Sequence, residues 1–186
     1  EKVGTLESFN TDGLRSIIYT MSHIPNMKEK TLRYPGHIEY VKVLKEAGFF
    51  DKTPVVVGNK EVSPLDVTSK VLFKEWKLEN NEEEFTVMRV TLRGLDKGVK
   101  KEVVYDLYDE YDVQTKTSSM ARTTGYTATA AVEMLSQEIF SNVGVFPPEL
   151  VGKHESCFSF IMKYLAERNI NYRRKEKVLD DIEVFV

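Results

Sequence analysis

The sequence predicts an α+β fold in which helices pack on a mixed or antiparallel sheet, and three observations point to it. Residues 85–93 and 99–111 are both rich in β-branched and aromatic side chains and are joined by Leu95-Asp96-Lys97-Gly98, a hairpin signature. Helical and extended patterns alternate along the rest of the chain. The 186 residues, 41% hydrophobic and 30% charged, carry enough apolar material for the core of one domain, predicted to span residues 1–186.

Taken in order, residues 5–9 read as a short strand. Thr11 or Asp12 then opens a helix as its N-cap, with Leu14, Ile17, Ile18 and Met21 on one face and Pro25 closing it. Residues 27–34 read as a strand leading to a second helix, which carries Ile38, Val41, Leu44 and Ala47 inward and stops at Gly48. Ser63-Pro64, a cap followed by proline in the first turn, starts a third helix through Leu65, Val67, Val71, Leu72 and Trp76. The acidic loop at 80–84 ends it. In the second hairpin arm Val99, Val103, Tyr105 and Leu107 share a face. A long helix from Ser118 or Ser119 to about Phe140 follows, where Ala121, Gly125, Ala128, Ala130 and Ala131 imply close approach of another backbone. After a turn at 144–148, residues 155–168 form an amphipathic helix through Phe158, Ile161, Met162 and Leu165. Arg173-Arg174-Lys175 with Asp180, Asp181 and Glu183 reads as a solvated charged tail over residues 173–186.

Composition removes several function classes. A net charge of −3 lacks the basic footprint of phosphate-backbone binding, so no nucleic acid is expected as a partner. No apolar run approaches the roughly 18 residues of a membrane span and no secretory leader is visible, which predicts a cytoplasmic protein with no membrane partner. Cys157 stands alone on an apolar helix face, where a packed thiol is favoured over a nucleophile. His23, His37 and His154 are far apart with no ligand spacing, so no metal is expected. There is no Gly-x-Gly-x-x-Gly or Walker-type loop to cradle a nucleotide phosphate. A chain beginning on Glu1 reads as a fragment of something longer.

Three polar segments remain as candidates for binding. Asn10-Thr11-Asp12-Gly13 is either a strand-to-helix turn with a side-chain cap or a loop presenting amide and hydroxyl groups. In Thr31-Leu32-Arg33-Tyr34-Pro35-Gly36-His37, Arg33 would end a strand beside the positive terminus of a helix, a place suited to clamp a carboxylate, or else to form a surface salt bridge. In the third, residues 117–125, Arg122, Thr123 and Thr124 crowd a first helical turn beyond what capping by one serine requires. Two arginines near helix starts, without a convincing base or nucleophile, describe a site that binds an anionic group and draws its chemistry from elsewhere.

The wording of "LESFNTDGLRSI", "NMKEKTLRYPGHIEYVKVLKEAGFF", "LYDEYDVQTKTSSMARTTGYTATAAVEML" and "GVFPPELVGKH", in that order, resembles the C-terminal part of the saccharopine dehydrogenase family, including its lysine 6-dehydrogenase branch. The resemblance runs from Leu6 to about Tyr172. It implies an enzyme whose preceding Rossmann domain binds NAD or NADP, while this portion supplies a substrate and dimerisation domain with a fold similar to the C-terminal domain of glyceraldehyde-3-phosphate dehydrogenase. It implies hydride transfer at the CH–NH group of an amino acid, a homodimer, a small-residue helix face packed on the Rossmann domain, and an isolated fragment that is inactive. The substrate-contacting Thr-Leu-Arg of saccharopine reductases falls on Thr31, Leu32 and Arg33. Their Asn-Arg-Asp-Ser loop falls on Asn10, Thr11, Asp12 and Gly13, without the arginine. Arg122 and Thr123 complete the expected substrate-binding set, the catalytic residue being unassigned. The alternative is a non-catalytic dimerisation or interaction module that keeps the family fold.

Overall fold

In the computed structural model, which describes residues 3–79 and 82–180, seven strands and six helices are seen among the described residues, and every strand ladder is antiparallel. The fold is α+β, as the alternation of patterns indicates. The chain forms two compact units, residues 1–79 and 80–186. The predicted acidic loop and charged tail fall partly on residues 80–81 and 181–186, outside the described residues.

In the first unit β1 (Glu7–Phe9) pairs with β2 (Thr31–Arg33), Glu7 opposite Arg33 and Phe9 opposite Thr31. Between them lies only one turn of helix, α1 (Ile17–Thr20). The helix expected from Thr11 or Asp12 does not form there. Arg15 has φ of 48°, a left-handed backbone that breaks the run, and the Thr11 hydroxyl is used across the strands instead of as a cap. After β2 comes α2 (His37–Glu46), preceded by Gly36 at φ 96°, a conformation that only glycine adopts without strain. Ile38, Val41 and Leu44 are its half-buried positions, as the spacing predicts.

A tight hairpin missed in the sequence, β3 (Val55–Val57) with β4 (Lys60–Val62), precedes α3 (Pro64–Trp76). Ser63 caps α3, its hydroxyl accepting from the Asp66 amide at 3.3 Å. The inward stripe of α3 is Leu65, Thr68 and Leu72; Val67, Val71 and Trp76 are exposed.

The second unit is built on β5 (Phe85–Asp96), β6 (Val99–Glu110) and β7 (Tyr172–Val178), with β6 central. Lys97 and Gly98, both at positive φ, form the two-residue turn that matches strand twist. The run of charges at Arg173, Arg174 and Lys175 is therefore strand and not a free tail, with Arg173 opposite Asp106. Helices α4 (Ser119–Ser136), α5 (Pro148–Val151) and α6 (Glu155–Ala166) complete the unit. Helix α4 stops four residues before Phe140, and Glu138 at φ 56° turns the chain. Leu107, Leu165 and Ile170 form one buried cluster; Met134, Phe140 and Cys157 form another. Of the small residues of α4, Ala130 is fully buried, while Ala121, Gly125 and Ala128 face outward among the described residues.

Candidate functional site

The β1–β2 pair brings together two of the three polar segments. Residues opposite one another on antiparallel strands share a face, so Glu7, Phe9, Thr31 and Arg33 project from one side and Ser8 and Leu32 from the other. Thr11 reaches this face. Its hydroxyl lies 3.0 Å from that of Thr31 and donates to Glu29 Oε2 at 2.5 Å. The Gly13 amide donates to the same oxygen at 3.3 Å, and the Thr31 hydroxyl to Glu29 Oε1 at 3.4 Å. These donors, led by Thr11, hold the Glu29 carboxyl below its ordinary pKa, so it is an anion at neutral pH. Loop 10–13 is thus tied to β2 through a carboxylate that stands between Lys28 and Lys30 in the sequence. Asn10 and Asp12 are exposed, and Asp12 pairs loosely with Arg15 at 3.6 Å.

Arg33 ends β2 and is exposed; its Nη1 donates to the Leu32 carbonyl at 2.7 Å. No carboxylate among the described residues pairs with it. Its cross-strand neighbour Glu7 is turned to α2, where its two carboxylate oxygens accept from the Gly36 amide at 3.1 Å and the Ile38 amide at 2.7 Å. That is how the chain satisfies orphan amides at a helix start. The positive end of α2 is occupied from within, and the guanidinium beside it is left available to an external anion. The Phe9 and His37 rings, stacked with centroids 6.1 Å apart, wall this part of the face.

Arg122 and Thr123 belong to the second unit and do different work. The carboxylates that Arg122 holds are the chain's own: Asp109, with contacts of 3.2 to 3.4 Å from Nε and Nη2, and Asp112 at 3.0 Å from Nη1. Its Nη2 also donates to the Arg168 carbonyl at 3.0 Å. The side chains of Arg122 and Asp109 are only 8% and 4% exposed. A guanidinium so placed joins the end of β6, the start of α4 and the end of α6; the expectation of a substrate clamp there gives way to a buried structural pair. Thr123 returns its hydroxyl to the Ser119 carbonyl at 2.8 Å within the helix. The signal for Asp109 was present: it continues the apolar alternation of Tyr105 and Leu107, and a carboxylate on an inward face needs a buried partner.

Over residues 2–170 the chain matches the saccharopine dehydrogenase C-terminal domain. It belongs to that family. The saccharopine dehydrogenase C-terminal domain is part of an oxidoreductase family, which implies a nicotinamide cofactor. Neither α2 nor α4 opens on a free cradle for a dinucleotide pyrophosphate. The starts of α2 and α4 are filled by Glu7 and by Glu84, which accepts the Met120 amide at 3.2 Å, and no glycine fingerprint precedes either helix. Among the described residues no cluster of His, Cys, Asp and Glu has the geometry to hold a metal ion, and no helix is long and apolar enough to cross a membrane.

Proposed function

We propose that this domain is the substrate-binding and dimerisation portion of a longer, cytoplasmic NAD(P)-dependent oxidoreductase acting on the CH–NH group of an amino acid of the saccharopine or lysine class. The single observation that carries the reading is Arg33: an exposed guanidinium with no acidic partner among the described residues, on one strand face with the Thr31 and Thr11 hydroxyls. A guanidinium can bind the α-carboxylate bidentately, fixing the amino acid by its invariant end while the hydroxyls orient the rest. Leu32 projects to the opposite face of the strand pair. NAD or NADP, bound by a preceding Rossmann domain, would accept the hydride; this chain's part is to bind and orient. Exposed apolar residues of α2 and α3, among them Val43, Val71 and Phe73, give a homodimer partner or a neighbouring domain a surface to cover.

The test is a substrate screen on the full-length protein, following nicotinamide absorbance with lysine, saccharopine and related amino acids. Turnover with one of them is expected, and Arg33→Ala should raise its KM about 30-fold, the loss of roughly 2 kcal/mol for a charged hydrogen-bond pair. An unchanged KM for every substrate would remove the clamp. The domain by itself should neither bind NAD(P)H nor turn over. Absence of turnover by the full-length protein with all candidates would favour the interaction module.

A further inference from the structure

We propose that Glu29, held by Thr11, Gly13 and Thr31, is a specificity-determining residue that receives a cationic group at the far end of the ligand and rejects a second carboxylate. The proposal rests on the reading of Arg33 given above and adds the other end of the site.

Three observations on the strand face carry it. First, the Glu29 carboxylate is set in place and only partly satisfied. Oε2 takes the Thr11 hydroxyl at 2.5 Å and the Gly13 amide at 3.3 Å, and the Thr11 amide also acts on the carboxylate, whereas the side-chain donor at Oε1 is the long 3.4 Å contact from Thr31. No lysine or arginine among the described residues pairs with it, although Lys28 and Lys30 flank it in sequence. Second, Gly13 is where the loop gives way to this carboxylate. A Cβ there would lie 2.6 Å from Glu29 Cδ and 3.0 Å from Oε1, so the missing side chain makes room for the acid. Third, the spacing fits. Thr31, whose hydroxyl touches Glu29, and Arg33 are two residues apart, about 7 Å along the strand. Six single bonds, from an α-carboxylate carbon to a terminal amine nitrogen of a four-methylene chain, span about 7 Å when extended, twice the reach of one extended residue.

An amino acid laid along the strand with its carboxylate on Arg33 therefore brings a terminal ammonium to Oε1. A ligand of the same length ending in a carboxylate meets Glu29 as a like charge, and loop 10–13 carries no arginine to offset it.

The experiment is calorimetric titration of the full-length protein with three probes of nearly equal length: L-lysine, L-norleucine and L-2-aminoadipate. They share the α-amino and α-carboxylate groups and differ at the far end as cation, neutral methyl and anion. Lysine should bind at least tenfold tighter than norleucine, and norleucine tighter than 2-aminoadipate. Glu29→Gln, which keeps an acceptor for Thr11 and Gly13, should reduce the lysine preference at least tenfold and leave norleucine unchanged. Gly13→Ala, which displaces the carboxylate without removing its charge, should act in the same direction. Arg33→Ala should weaken all three probes together. If Glu29→Gln leaves the three affinities in unchanged ratio while Arg33→Ala weakens all of them, Glu29 is no specificity residue and the clamp stands. If Arg33→Ala changes none, the clamp is wrong, and with it this proposal. Failure of all three to bind overturns both.

Discussion

Arginine chemistry in this domain divides by burial. Arg33 and Arg122 both lie near helix starts in the sequence, yet one is exposed with no carboxylate partner among the described residues and the other is buried between two. Removing Arg122 leaves Asp109 as an uncompensated charge in the interior, which costs about 3–5 kcal/mol. Arg122→Met should lower the urea midpoint at neutral pH by a corresponding amount, and adding Asp109→Leu should restore much of the loss. A loss below about 1 kcal/mol in the single variant would mean that the pair is solvated enough to tolerate breaking. The two roles were not separable in the sequence, because a guanidinium beside a helix start reads the same whether its anion is internal or external. The resemblance singles out Thr31 and Arg33 as candidates. It does not single out Glu29, since Lys28-Glu29-Lys30 has the pattern of solvent-facing charge and the contact of Glu29 with Thr11 spans 18 residues.

Strand β7 shows the same difficulty on the scale of an element. The β5–β6 hairpin was legible because its second arm alternates apolar with polar positions and a Lys97-Gly98 turn joins the arms. Strand β7 is charged throughout residues 173–177 and gains its place from cross-strand pairing with β6 and from Tyr172, which packs against Leu107, Leu165 and Ile170. On one face of the sheet Glu102 sits between Arg93 at 2.5 Å and Lys177 at 3.0 Å, and Asp106 takes Arg89 at 2.6 Å. On the other, Glu176 pairs with Lys101 at 2.8 Å and also with Arg174. Lys177 first, then Arg93, hold the Glu102 carboxyl below its ordinary value of 4.5; Arg89 does the same to Asp106, ordinarily 3.8, and Lys101 with Arg174 to Glu176, ordinarily 4.5. A carboxylate whose pKa is depressed by folding stabilises the fold fully above its unfolded pKa and ceases to do so as pH falls through the folded one. Thermal stability should therefore hold down to about pH 5 and decline below it. Glu102→Gln should lower Tm at pH 7 and flatten the decline in acid. An equally steep acid decline in this variant would show that the ladder of ion pairs does not couple to folding. Salt at about 1 M should weaken the exposed members, since screening then acts within about 3 Å.

At the scale of the whole molecule the two units differ in what they bury. Among the described residues, all seven buried hydrophobic residues, from Leu107 to Ile170, lie in the second unit. The first unit buries Thr68 but leaves Tyr40, Val67, Val71, Phe73 and Trp76 between 49% and 75% exposed. Of these, Val67, Val71 and Trp76 belong to the apolar pattern read in the sequence; an apolar stripe shows that a face wants covering, not which surface covers it. Local stability follows buried apolar contact, so amide hydrogen exchange should be uneven. The slowest amides are expected in β6, α4 and α6, around Leu107, Met134 and Leu165, exchanging only through opening of the whole second unit. Those of α2 and α3 should exchange faster, through openings that expose little new surface and respond weakly to added denaturant. Ile170→Ala should shorten the protection of the second unit by removing a fully buried side chain, a cost of about 2–5 kcal/mol, while leaving α2 and α3 unchanged. If a partner surface covers the exposed stripe of α3 in the full-length protein, protection at Val67 and Val71 should rise relative to the domain alone. Protection at α3 equal to that at α6 in the isolated domain would mean that the first unit is held by more than the contacts it makes with itself. Equal protection at α3 in the domain and in the full-length protein would mean that the stripe stays open to water and is no interface.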